Sequence, residues 1–162
     1  MQVKKIGSNL YELKSKETTL TLDGGITATD KKLDSPGEYE IGGIFIEGIA
    51  AGEQTIFTLE VEDLNLCFLG QLKNSLGEDT LEQIEDVDIL FLPTGAEGTV
   101  NLKQAAEILQ KIDPKMVIPI FVESEAELLK QEGAANPRRE KVLKITQSQL
   151  ATDEERQLVI LE

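Results

Sequence analysis

Glu38 and Glu40 stand two residues apart in Gly37–Ile41, a spacing that sends both carboxylates to one face of a β-strand. Such a pair can share acid/base work or hold a hard divalent cation through oxygen. The plainer reading is that both brace a turn-and-strand motif, and a lone pair leaves that reading preferred. Thr94-Gly95-Ala96-Glu97-Gly98-Thr99 precedes a predicted helix, a place where loop amides suit an anion. It lacks the Gly-Lys-Ser/Thr of a phosphate loop, and Glu97 repels phosphate, so a plain turn is preferred. Cys67 lies between Leu66 and Phe68 on an apolar run and reads as a small core residue rather than a nucleophile. The acidic run Glu78, Asp79, Glu82, Glu85, Asp86, Asp88 lacks calcium-loop spacing and reads as a solvated helix face. Arg138, Arg139, Lys141 and Lys144 form a basic patch without interleaved aromatics. It suits nucleic acid poorly and is able to pair with the acidic run of another copy.

What the composition lacks narrows the chemistry further. The 162 residues include no histidine, which removes every mechanism with an imidazole base and every His-ligated zinc site. One cysteine leaves no thiolate-rich alternative and suits a reducing compartment. The net charge of −14 repels nucleic acid and anionic membranes, so neither is expected as a partner. No stretch approaches the ~20 apolar residues of a membrane span, and Met1–Asn9 lacks the apolar run of a signal peptide. The expectation is one domain over residues 1–162, cytoplasmic, with no cofactor.

The candidate groups need elements to position them. Period-two alternation predicts strands at Thr18–Asp23, Gly37–Ile41, Ile44–Ile49, Thr55–Val61 and Leu64–Leu69. Gly42-Gly43, Gly52-Glu53 and Glu62-Asp63 separate the later ones at hairpin spacing. A short helix over Asp79–Glu85 and a buried strand over Val87–Leu92 follow. Leu102, Ala105, Ala106, Ile108, Leu109 and Ile112 mark one helix face, capped by Asn101 with Gln104 and ended by Asp113-Pro114. Met116–Ile120 reads as a strand. Ser124 with Glu127 opens a second helix that stops near Gly133, a polar loop runs from Gly133 to Arg139, and Glu140–Ile145 and Gln157–Leu161 read as closing strands. The later strand-helix order implies parallel pairing.

These landmarks resemble a known family. Ser35-Pro36-Gly37-Glu38-Tyr39-Glu40-Ile41-Gly42-Gly43 resembles the PGEYE-x-GG strand pair of small bacterial and archaeal members of the metallo-β-lactamase superfamily. Leu66 to Asn74 resembles its [IV]-C-H-L-G-D-L-G-H segment, and Asp86 to Pro93 its D-V-D strand. Asp113 to Phe121 resembles its P-K-[IV]-V-I-P-M-H strand, and Lys141 to Glu162 its closing strand, acidic turn and final strand. The resemblance runs from about Ser35 to the C-terminus, with a looser fit over Met1–Asp23. It implies a mixed α/β (α+β) αββα sandwich, truncated on its N-terminal side.

The departures fall on the chemistry. The family's metal-binding H-x-H-x-D-H loop has no counterpart, because only Gly24 to Asp34 separate the strand ending at Asp23 from Ser35. Gln71 stands at the metal aspartate, Asn74 at the neighbouring histidine, Phe121 at the late metal histidine and Phe68 at another histidine. Ser8 or Asn9 stands near the family's early G-H-S. The leading expectation is therefore a non-catalytic protein of this fold that works in binding or assembly. Losing a loop and helix should uncover apolar surface, and either the remaining loops collapse over it or a partner covers it, a second copy or another protein. The alternative is a metal-independent or Mg/Ca-using hydrolase, or a small-ligand binder, with a site rebuilt from Gln71, Asn74, Glu38, Glu40 and Thr94. A third reading is a subunit or inhibitor that pairs with a complete, active relative.

Overall fold

The computed structural model describes residues 1–16, 18–133, 136–151 and 155–162. Strands β1 (Gln2–Gly7), β2 (Leu10–Ser15), β3 (Thr18–Leu22), β4 (Ile26–Ala28) and β5 (Lys31–Leu33) form an antiparallel meander. The chain then crosses to a second sheet. Here β6 (Gly37–Ile41), β7 (Ile44–Ala51), β8 (Gln54–Val61) and β9 (Leu64–Phe68) are antiparallel hairpins at the expected turns. After α1 (Glu78–Glu82), β10 (Ile89–Pro93) pairs with β9 in parallel. α2 (Leu102–Ile112) leads to β11 (Met116–Ile120), and α3 (Glu125–Glu132) to β12 (Arg138–Glu140), β13 (Val142–Lys144), α4 (Gln147–Ala151) and β14 (Gln157–Leu161). The second sheet has eight strands in the order β12-β14-β11-β10-β9-β8-β7-β6, and β13 returns to the first sheet beside β1.

Alternation explains the two cores. Inward residues of both sheets, including Leu13, Leu20, Ile46, Phe57, Phe91 and Ile118, fill the space between them. The opposite face of the eight-stranded sheet turns Ile56, Cys67, Leu90 and Val117 toward Ala105, Ile108 and Leu109 of α2. The helix ends follow their sequence signals. Asn101 and Gln104 form the full reciprocal cap, and Asp113 ends α2 in the left-handed region. At α3 only half of the expected box forms, Ser124 Oγ accepting from Glu127 N at 3.3 Å, and Gly133 closes the helix at φ 66°.

Two expectations change, and two segments left unassigned gain a structure. Met1–Asn9, to which the sequence assigned no element, supplies β1, and β2 follows it. Gly24 to Asp34 is an ordered crossover built on the β4–β5 hairpin. The expected strand Glu140–Ile145 is two strands that part at Lys141, one in each sheet. Asp88 does not belong to a solvated face: it is buried, and its carboxylate accepts from Asn65 N at 2.8 Å and Lys115 Nζ at 3.0 Å. Residues 134–135 of the polar loop and 152–154 of the acidic turn lie outside the described residues.

Of the two outcomes for the apolar surface, the described residues show the remaining chain closing over it, with Ile6 and Val142 left exposed on the outer face of the six-stranded sheet. Ile26, Ala28 and Leu33 of the crossover turn inward and are buried. The outer face of the six-stranded sheet carries Lys4, Lys14, Thr19, Thr21, Thr27 and Lys32 instead. A polar sheet face needs no helical layer, so the sandwich holds with its outer helices on one side only.

Candidate functional site

The C-terminal ends of β9, β10 and β11 lie side by side, and the turns that leave them form one end of the sandwich. Gly70 opens the first turn at φ +57°. A Cβ there would lie 2.7 Å from Gly24 O, so the crossover is seated directly on this turn. The Gln71 side chain in turn lies beside Gly24. Gln54 clamps the turn from β8, donating from Nε2 to Gln71 O at 2.8 Å and accepting from Lys73 N at 2.7 Å.

The second turn is closed by its own amides. Val100 N donates to Leu72 O at 2.8 Å, Gly95 N to Val100 O at 3.1 Å and Thr99 N to Ala96 O at 3.0 Å. With those amides and the Asn101 cap engaged, Thr94–Thr99 is a turn rather than an anion cradle. Thr94 is 1% exposed, and its hydroxyl donates to Ile120 O at 3.2 Å.

The third turn carries a long-range contact. Phe121 adopts φ 47°, and its amide donates to Asn9 Oδ1 at 3.0 Å, Asn9 itself being left-handed in the β1–β2 turn. The Phe121 and Phe68 side chains are both buried between the sheets. Phe68 meets Phe91 edge-on at 5.8 Å between centroids, and Phe91 meets Tyr11 likewise at 6.5 Å. Burial pushes the Tyr11 phenol up to about 12, so it stays protonated.

The five candidate binding residues are therefore dispersed. Gln71 packs by the crossover, and Asn74 borders a separate shallow groove with Gly52 and Gly77. Thr94 is interior. Glu38 and Glu40 point outward from edge strand β6, where Glu38 borders a groove with Asn65 at the N-terminal end of β9. Among the described residues no three Cys, Asp or Glu side chains gather into a cation site. Cys67 is fully buried, and burial pushes its thiol up to about 12, which leaves no reactive thiolate.

The basic patch divides as well. Arg138 pairs with Glu140 at 2.8 Å, and Arg139 pairs with Glu125 and Glu162, which holds its guanidinium above the usual value. Sequence reasoning missed the Asn9 and Gln54 clamps, whose partners lie far away in sequence. It also missed Phe45, Glu47 and Glu60, although the alternation of β7 and β8 marks all three as outward-facing.

The donor set can be tested against the zinc or other transition metal that this fold family implies. Gln71 and Asn74 are neutral amides, Phe68 and Phe121 offer no lone pair, and the Asn9 oxygen is engaged by Phe121 N. These residues do not fit a divalent metal, which needs carboxylate, imidazole or thiolate donors.

Known proteins give the fold a context. No curated protein matches the sequence. A structure from Thermotoga maritima, named as a suggested Zn-dependent hydrolase of the metallo-β-lactamase superfamily, superposes with TM-score 0.84 at 22% identity over 100% of this chain and 99% of its own. The metallo hydrolase Igni18 from Ignicoccus hospitalis gives TM-score 0.63 at 9% identity, covering 90% and 99% of the two chains. A suggested metal-dependent hydrolase from Parabacteroides distasonis gives 0.56 at 13% identity, covering 96% and 100%. The family model described as the beta-lactamase superfamily domain matches residues 13–121. The chain thus belongs to the β-lactamase superfamily.

Proposed function

We propose that this chain is a metal-free member of its superfamily that works as a binding and assembly module rather than as a hydrolase. The observation that supports this reading most is the Asn9–Phe121 hydrogen bond of 3.0 Å. It joins two positions that the family resemblance sets at or near metal-site segments, and there it ties one backbone turn to another. Gln71 and Asn74 add neutral groups where a metal needs charge, and Phe68 adds core packing. The related structures are named as hydrolases. A metallo hydrolase depends on a water activated by its metal, and this donor set offers no place to hold one.

The partner in this reading is a protein, either another copy or a different chain. A site rebuilt from Gln71, Asn74, Glu38, Glu40 and Thr94 has no support, since those groups face different surfaces and Phe68 and Phe121 are packed in the core between the sheets. The test is hydrolysis of phosphodiester, ester and β-lactam reporters by protein loaded in turn with zinc, manganese, iron(II), magnesium and calcium. The expected rates equal those of buffer with the same metal. Turnover that rises in proportion to protein with any one metal would overturn the proposal.

A further inference from the structure

The helix-bearing face of the eight-stranded sheet is covered over only part of its length. Ile49, Ile56, Cys67 and Leu69 lie in the core beneath the helices. On the same face of the same strands, Phe45, Glu47, Thr58, Glu60 and Asn65 continue beyond them, joined by Glu38 and Glu40 of β6. The register sets Glu40, Phe45, Glu60 and Asn65 in one row across the strands, and Glu38, Glu47 and Thr58 in the next. Phe45 is 55% exposed, and the surface forms an open groove of about 540 Å³ whose far rim adds Glu85 and Asp86. No Lys or Arg lines this groove.

The fold itself gains nothing from these charges. Glu38 and Glu47 are directly opposite on antiparallel strands, an arrangement that destabilises a sheet. Charge on an edge strand deters unwanted strand pairing, which accounts for Glu38 and Glu40. Glu47 and Glu60 lie on inner strands and need another reason.

The opposite surface of the molecule is the complement. Among the described residues, the outer face of the six-stranded sheet presents Lys4, Lys14, Lys32 and Lys144 with one carboxylate, Glu12, which Lys4 holds at 3.0 Å. Register places Gln2 between Lys14 and Lys144, and Val142 beside Lys4. Val142 and Ile6 are 37% and 45% exposed. Three of the four exposed large apolar side chains of the described residues thus belong to these two surfaces, Phe45 to the carboxylate face and Ile6 and Val142 to the lysine face.

We propose that the lysine face of one copy docks on the carboxylate face of the next, with Phe45 against the Val142 end of the lysine face. This rests on the assembly reading above and names its partner and both surfaces. The contact is heterologous, so it propagates head to tail into a ring or an open chain. Four strands about 4.8 Å apart and five residues long offer a patch of only about 14 by 17 Å, below the roughly 800 Å² per partner of a standard interface. The association is therefore weak, electrostatically steered and sensitive to salt.

Sedimentation velocity of the full chain at about 20 mM and about 300 mM salt tests this, with two charge-reversed proteins, Glu47→Lys/Glu60→Lys and Lys14→Glu/Lys144→Glu. All four positions are exposed, and thermal unfolding verifies that each variant folds. Wild type is expected to associate at low salt and to dissociate at high salt. Each variant alone should remain monomeric, and an equimolar mixture should regain the wild-type mass, since each altered face then meets its complement. A monomeric wild type at low salt would overturn the inference, even if oligolysine bound the groove, because the occupant would then not be a second copy. Association unchanged by charge reversal would overturn the assignment of the faces. Neither failure touches the metal-free reading, which the reporter assays decide separately.

Discussion

Replacing Gly70 with alanine tests whether the crossover is clamped onto the turn that the family resemblance aligns with a metal-site segment. Two costs add in this variant. The left-handed backbone at φ +57° costs a residue with a Cβ about 1–2 kcal/mol. The new Cβ would lie 2.7 Å from Gly24 O, a backbone atom that moves only if the crossover moves, and such overpacking costs about 1–3 kcal/mol. The sum is about 2–5 kcal/mol. Gly52→Ala isolates the first cost, because Gly52 has φ +65° and a Cβ there meets nothing within 4 Å. In a chain of this size each kcal/mol shifts Tm by about 2–4 °C. Gly70→Ala should thus melt about 4–20 °C below wild type, and about 2–12 °C below Gly52→Ala. Scanning calorimetry, with agreement of calorimetric and van't Hoff enthalpies as the two-state check, provides the measurement. If the two variants melt within about 1 °C of each other, the Gly24 carbonyl is not held against this turn, and the reasoning about a closed site fails.

Three further outcomes follow from the same contacts. Asn9→Gly keeps the left-handed turn while removing the acceptor of Phe121 N, so denaturant titration should show a loss of about 1–3 kcal/mol without a change in slope. Native Cys67 should resist iodoacetamide near pH 8 and react only as fast as the chain unfolds, since the thiol is fully buried and pushed up to about 12; rapid labelling of folded protein would refute this. Burial raises the Glu132 carboxyl above its ordinary value. Its stabilising contribution is therefore present below the unfolded value and is lost as pH rises through the folded one. Glu132→Gln should match wild type in Tm near pH 4 and exceed it near pH 7; a reversed order would refute the sign.

The hairpins from β6 to β9 were legible in the sequence because Gly42-Gly43, Gly52-Glu53 and Glu62-Asp63 punctuate clean alternation. The capping residues Asn101, Ser124 and Gly133 marked helix ends for the same local reason. β1 was not legible, since Val3 is its one buried side chain, and the strand exists because β2 and β13 pair with it on either side. Lys141 gave no hint of the switch between sheets, because Glu140–Ile145 reads as unbroken strand and the switch is a property of tertiary pairing. At the candidate site, the replacements Gln71, Asn74, Phe68 and Phe121 were legible through the family resemblance. What those positions do instead was not: the Asn9–Phe121 bond spans 112 residues and leaves no local pattern.

The central claim is that these positions pack and hydrogen-bond rather than hold a metal, and thermal unfolding tests it most directly. The purified chain is melted with zinc, manganese, iron(II), magnesium and calcium in turn. A metal at about 100 times its dissociation constant adds roughly 2.7 kcal/mol to a protein that binds it only when folded, a rise of about 5–10 °C here. The expected melting curve is the same with every metal. A saturable rise with one transition metal, reversed by a chelator, would contradict it.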